Sequence, residues 1–127
     1  MIWIILYILF WHWIADFVAQ THEMAINKST SNKWLTKHII AYGNNLLFGS
    51  LPILAAGAFL GHNWALPIVA YVILNMALHW ITDYFTSRWT SKLWVKKDVH
   101  NFFVVIGLDQ FIHVCCLLIT YKFIIGF

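Results

Sequence analysis

The stretch IWIILYILFWHWIADFVAQ, residues 2–20, decides how the chain is read. It approaches the ~20 residues that a helix needs to cross a bilayer. His12 and Asp16 are its only basic and acidic side chains. Three more apolar stretches follow, at residues 35–60, 64–85 and 101–127; the first of these is broken by Gly43, Asn44, Asn45 and Pro52. Hydrophobic residues make up 61% of the 127 and charged residues 10%, where soluble domains have about 45–50% and about 25%. A water-soluble fold of this size cannot bury so much apolar surface. Disorder is excluded too, because it requires low hydrophobicity. The expected fold is all-α: a single domain over residues 1–127, an integral membrane bundle of four transmembrane helices. The first stretch is expected to be a helix of the bundle and not a secretory leader, since it lacks a basic start and a small-residue cleavage site.

Basic residues set the expected orientation. Lys28, Lys33 and Lys37 follow the first helix or open the second, and Arg88, Lys92, Lys96 and Lys97 follow the third. In a four-helix chain both groups lie on one side, and only Lys122 lies on the other. The positive-inside rule puts the larger group in the cytoplasm and both termini outside. Residues 88–97 are expected to form a basic loop whose Trp89, Leu93 and Trp94 suit an interface with anionic lipid. Ser31 is an expected N-cap for the second helix. The net charge of +3 is too small to suggest a nucleic-acid partner. Cys115 and Cys116 are adjacent, a poor disulfide pair, and carry no information on redox compartment.

Ionisable groups inside the membrane carry the functional argument. A charge at the bilayer centre costs at least ~2.5–3.5 kcal/mol on insertion scales. Yet three of the five acids, Asp16, Asp83 and Asp109, fall in expected membrane helices. Each has a histidine four residues away: His12 with Asp16, His79 with Asp83, His113 with Asp109. That spacing puts both side chains on one helix face. Gln20 continues the first stripe, His38, Tyr42 and Asn45 form one on the second helix, and Asn75 extends the third. His12 lies about nine residues from the cytoplasmic end of its helix, roughly 13 Å deep at 1.5 Å per residue. Asp109 is about as deep, and His38 stands near the same end, so these groups are expected to meet in the cytoplasmic half of the bilayer.

Two explanations compete for this polar core. Interhelical hydrogen bonding alone averages only about 0.6 kcal/mol per bond, little against the insertion cost. A divalent ion, zinc above all, takes histidine nitrogen and carboxylate oxygen and neutralises the acids. The candidate metal ligands are His12, Asp16, His38, His79, Asp83, Asp109 and His113. Gln20, Tyr42 and Gln110 are candidate substrate contacts.

In this order, His12-x3-Asp16-Phe17-x2-Gln20-Thr21-x2-Met24-Ala25, Lys28, His38-x3-Tyr42, His79-x3-Asp83-Tyr84 and Asp109-Gln110-x2-His113, the chain resembles domain-of-unknown-function family 3307. That family comprises small polytopic membrane proteins of bacteria and phages. His22 departs from it, standing where an acid or amide is expected. The resemblance implies an integral membrane protein with a shared polar core and supplies no reaction. Membrane hydrolases with His/Asp metal sites are an analogy of chemistry only.

The expected function is metal-dependent hydrolysis of a lipid or lipid-linked ester or phosphoester from the cytoplasmic leaflet of a bacterial inner membrane. Asp16 or Asp83, whichever is left uncoordinated, is the expected general base. The alternatives are a small ion- or proton-coupled transporter and a non-catalytic membrane accessory protein. Membrane lipids are the expected partners, with a second copy of the chain left open. No Gly-rich phosphate loop, serine nucleophile motif or zinc-finger cysteine spacing occurs.

Overall fold

A computed structural model describes residues 1–126. Phe127, the last residue of the fourth expected stretch, lies outside the described residues. The helices are α1 (Ile2–Trp13), α2 (His22–Asn27), α3 (Asn32–Phe59), α4 (Ala65–Val95) and α5 (Val99–Ile124), with a π-helical turn at Ile14–Val18 continuing α1. Among the described residues there is no strand. α3, α4 and α5 have 28, 31 and 26 residues and are apolar enough to cross a membrane. At 1.5 Å per residue they reach about 39–46 Å, beyond a hydrocarbon core of ~30 Å. Ile2–Val18 is shorter, at the low end of the ~17–25 residues of membrane helices.

α1 packs against α3 and α5, α3 against α4, and α4 against α5. The four apolar elements thus close a ring with antiparallel neighbours, and the small α2 rests on α3. The ring is polar within and apolar without. Trp3, Phe10, Phe48, Ile73, Phe85 and Phe111 are exposed, while His12, Asp16, His38, Asn75, His79, Asp83 and His113 are buried. This inverts the pattern of soluble proteins and is what lipid around the bundle requires. One end of the interior is conventionally apolar: Ile8, Leu46, Tyr71, Val72, Leu117 and Tyr121 form a core cluster there. Asn75 and Thr120 bond to each other across α4 and α5 at 2.8 Å.

Two helix ends have the same hydrogen-bond signature for different reasons. α3 stops at Gly61, whose φ of +78° accompanies His62 N–H donating to Gly57 O and Gly61 N–H to Ala58 O. This is a Schellman cap with glycine where a left-handed residue is needed. α4 stops with the same bonds, Asp98 N–H to Leu93 O and Lys97 N–H to Trp94 O, but here Lys97 takes the left-handed position at φ 57°. The loop expected at 88–97 therefore does not form. Residues up to Val95 continue α4, and only a tight turn joins it to α5. Its basic residues sit on a helix end, where Arg88 reaches Asn32 of α3 at 2.7 Å. Asp98 caps α5 by accepting from the Asn101 backbone N–H, and the bonds from Asn101 hold its carboxyl below the usual range.

Ser31 stands at the N-cap of α3, as its sequence context suggests, but its side chain makes no cap bond. The break expected at Gly43–Asn45 is absent, because α3 runs through it. Gly43 instead lets Met76 of α4 come close, and Gly49 does the same for the Trp11 ring. A Cβ on Gly49 would lie 2.5 Å from that rigid indole, whereas Gly107 has nothing within 4 Å. Gly49→Ala is expected to destabilise the bundle by about 1–3 kcal/mol, the usual result of overpacking. Gly107→Ala should be neutral or stabilising, by up to ~1 kcal/mol of helix propensity. Unfolding in mixed micelles distinguishes the two.

Candidate functional site

The expected first helix is not one regular helix, and its irregularity shapes the site. Ala19 N–H donates to Ile14 O at 2.8 Å, a bond five residues back, which widens the turn and re-aims Asp16. π turns of this kind are rare and gather at functional sites. The i, i+4 pairing expected from the sequence is seen in His79–Asp83 and in His113–Asp109, each at 3.5 Å. His12 and Asp16 form no ion pair among the described residues. Asp16 instead turns Oδ1 across the bundle to α3 and α4 and Oδ2 to α5.

There its Oδ1 lies 3.2 Å from His38 Nε2 and 3.3 Å from His79 Nε2. The two Nε2 atoms are 3.3 Å from each other. Three ligand-type atoms thus form a nearly equilateral triangle. Ligands ~2.0–2.1 Å from a tetrahedral ion stand ~3.3 Å apart, so the triangle has the size of one face of a zinc polyhedron. Asp83 borders it, with Oδ2 3.5 Å from His38 Nε2 and Oδ1 3.5 Å from His79 Nε2. Two further groupings, His12–Asp16–His113 and His79–Asp83–His113, also bring ligand atoms within 4.8 Å of one another. The imidazole of His113 stacks on His79, with centroids 3.9 Å apart and planes 6° from parallel. The Nδ1 atoms of His38 and His79 are buried with no hydrogen-bond partner, so the outer acceptor that usually orients a ligand histidine is missing from both.

Gln110 ties the remaining groups together. Its Nε2 donates to Asp16 Oδ2 and to Asp109 Oδ2, each at 3.0 Å. Its Oε1 faces His12 Nε2 at 3.0 Å. An amide with its nitrogen between two carboxylates has its oxygen left to accept, so the His12 proton sits on Nε2. Asp109 also accepts from the Thr86 hydroxyl. Asp109 therefore borders the triangle through Gln110 and is not at its centre. Tyr42 is 1% exposed and lays its ring on His79 at 4.1 Å between centroids.

Lys28, between α2 and α3, enters the site from its open end and reaches Asp83 Oδ2 at 2.8 Å. Burial works to lower its pKa, but the carboxylates of Asp83 and Asp16 outweigh that and hold the ammonium above the ordinary lysine range. A raised pKa means that the stabilisation is full below the unfolded value and is lost as pH climbs through the folded one. Lys28→Met is expected to cost roughly 2 kcal/mol at neutral pH, as for other hydrogen bonds to charged groups. The difference from wild type should shrink only above pH 10.5, the reference value for lysine. Chemical unfolding followed across that range checks both the size and the sign.

Beyond Lys28 lies a cavity of ≈ 490 Å³ between the π turn, α2 and the α4–α5 hairpin. Asp16, Asp83, Asp109, Gln20 and Gln110 line it, and Tyr42 does not. A family model described as "Protein of unknown function (DUF3307)" matches residues 4–127. The chain belongs to the DUF3307 family. No curated protein and no solved structure matches it. In this DUF3307 chain the candidate ligands of α1, the π turn, α3, α4 and α5 all converge on one buried cluster. Lys28, Thr86 and Ser87 are parts of the site that residue spacing did not single out. Thr86 and Ser87 lie three and four residues past Asp83, on the same helix face, which was the available signal.

Proposed function

We propose that the chain is a membrane-embedded, metal-dependent hydrolase of the bacterial inner membrane, with four transmembrane helices and both termini outside. Its substrate would be a lipid or lipid-linked ester or phosphoester, reached from the cytoplasmic leaflet. The observation that carries the reading is the triangle of Asp16 Oδ1, His38 Nε2 and His79 Nε2, with edges of 3.2–3.3 Å. These three residues would hold a divalent ion, zinc by donor type and spacing. When bound, the ion would polarise the scissile group and acidify a water.

The residues around it have distinct parts in this scheme. Asp83 faces the cavity and borders the triangle without belonging to it, which suits a general base. It would take a proton as the water oxygen bonds to the acyl or phosphoryl centre. As the bond to the leaving oxygen breaks, Asp83 would return that proton to the leaving alcohol. Lys28, 2.8 Å from Asp83 Oδ2, would hold that carboxylate in place. Gln110 and Asp109 would position Asp16 and His113.

The transporter reading gains no comparable support. A transport path continues across the membrane, whereas the far half of this bundle is filled by Ile8, Leu46, Val72 and Leu117, with Asn75 and Thr120 bonded to each other. The test is hydrolysis in nanodiscs of lipid extract, followed by mass spectrometry of released alcohols and acids. Expected are products that appear with zinc, stop with chelator and are absent in Asp83→Asn. Products unaffected by both would end the proposal, as would proton flux into liposomes that persists with chelator.

A further inference from the structure

We infer that the cavity beside the His/Asp cluster is a binding site for the uncharged, hydroxyl-rich headgroup of an amphiphile. This makes the substrate of the proposed hydrolase a neutral lipid ester, such as a glycosylated or glycerol-type lipid, and not a phosphoester. The inference rests on the hydrolase reading for what happens at the reacting end; the binding itself does not depend on it.

The lining is divided. From Asp83 outward, α4 presents Thr86, Ser87, Thr90 and Ser91 to the cavity. The intervals of three and four residues put them on one helix face, a wall of hydroxyls leading away from the cluster. Opposite stand Phe102 and Ile106 of α5, and the rim carries Phe17, Ile26 and Trp94. Those three rim residues are 47%, 56% and 61% exposed, so the mouth is framed by apolar side chains that only lipid or a lipid tail would cover. A polar inner wall with an apolar mouth fits a molecule that has a polar head and an apolar tail.

Two polar atoms on this lining lack partners. Ser87 Oγ and Gln20 Oε1 are buried and make no hydrogen bond in the structure. A buried polar atom left unpaired costs about 1–3 kcal/mol, and a bound hydroxyl group, donor and acceptor at once, would satisfy either. Thr86, by contrast, is already engaged with Asp109, so the free capacity lies outward from the cluster, where a headgroup would rest.

Charge decides against phosphate. Three carboxylates line the cavity, Asp16, Asp83 and Asp109, against one ammonium, Lys28. That ammonium is already held by Asp83. A divalent ion would bring the lining only to neutrality and leave no surplus for an anion. No arginine lines the cavity, so the planar fork that recognises phosphate is missing.

The test uses the full chain in nanodiscs holding a glucosyl diacylglycerol with a photoreactive acyl chain, with chelator present. Adducts are expected on Phe102 and Ile106. Unlabelled glucosyl diacylglycerol should compete, and phosphatidylglycerol and free glucose should not. Ser87→Ala should lower labelling about fivefold, the equivalent of one neutral hydrogen bond, and Ser87→Leu should abolish it. Gly107→Leu, which faces open space, checks that labelling does not fall with any added leucine. Competition by phosphatidylglycerol equal to that of the glycolipid would overturn the inference, as would competition by free glucose or labelling indifferent to both Ser87 variants. Because labelling is read with chelator present, intact labelling beside absent hydrolysis in the zinc-loaded nanodisc assay would sink the hydrolase reading and leave this one standing.

Discussion

Asp16→Asn is expected to weaken zinc binding by more than about 100-fold, above the 10–100-fold typical of outer positioning partners. Asp16 is the one acid whose oxygen meets two histidine nitrogens at 3.2 and 3.3 Å. Asparagine keeps the size but offers a neutral, weakly ligating oxygen. Asp109→Asn should fall within the 10–100-fold range. Its carboxylate touches Thr86 and Gln110 and lies nearest to His113, so it acts on the triangle indirectly. Zinc titration with a competing chelator in detergent measures both variants. Equal losses would mean that the triangle is not the centre.

Gln110→Leu should cost about 3–5 kcal/mol of stability, the range found when a buried polar network loses one of its partners. Leucine removes the bonds to Asp16 and Asp109 and the acceptor for His12 in a single change of similar volume. Gln110→Glu should be worse still, because it places a third carboxylate between two. Reversible unfolding in mixed micelles gives both values. A cost below that of Gly49→Ala would show that the bridge contributes little.

Much of this architecture was legible in the residues. Four apolar stretches gave the number and rough place of the long helices, and the His/Asp spacing on three of them gave the cluster. What was not legible has physical causes. Nothing in residues 2–20 announces a π turn, since a widened turn depends on how Asp16 is drawn toward His38 and His79 on other helices. The i, i+4 rule therefore pairs His12 with Asp16 directly, whereas the two form no ion pair among the described residues and are linked through Gln110. The end of α4 was missed because a Schellman cap normally shows a glycine, and Lys97 fills that position here. Lys28 counts in the sequence only as one of the loop lysines that set the orientation, because the positive-inside argument treats all such lysines alike. Its contact with Asp83 spans 55 residues and exists only once α2 folds back onto α3. Gln110 stands out in the sequence as a candidate substrate contact, but no spacing rule shows that its amide bridges two carboxylates and a histidine.

The central claim is that Asp16, His38 and His79 hold a metal ion. X-ray absorption at the zinc edge on the purified, zinc-loaded protein in detergent tests it most directly. About one zinc per chain is expected, with nitrogen and oxygen neighbours at ~2.0–2.1 Å and the outer-shell scattering of two imidazoles, both lost in His38→Ala. Protein that takes up no stoichiometric zinc, or zinc with no imidazole scattering, would contradict it.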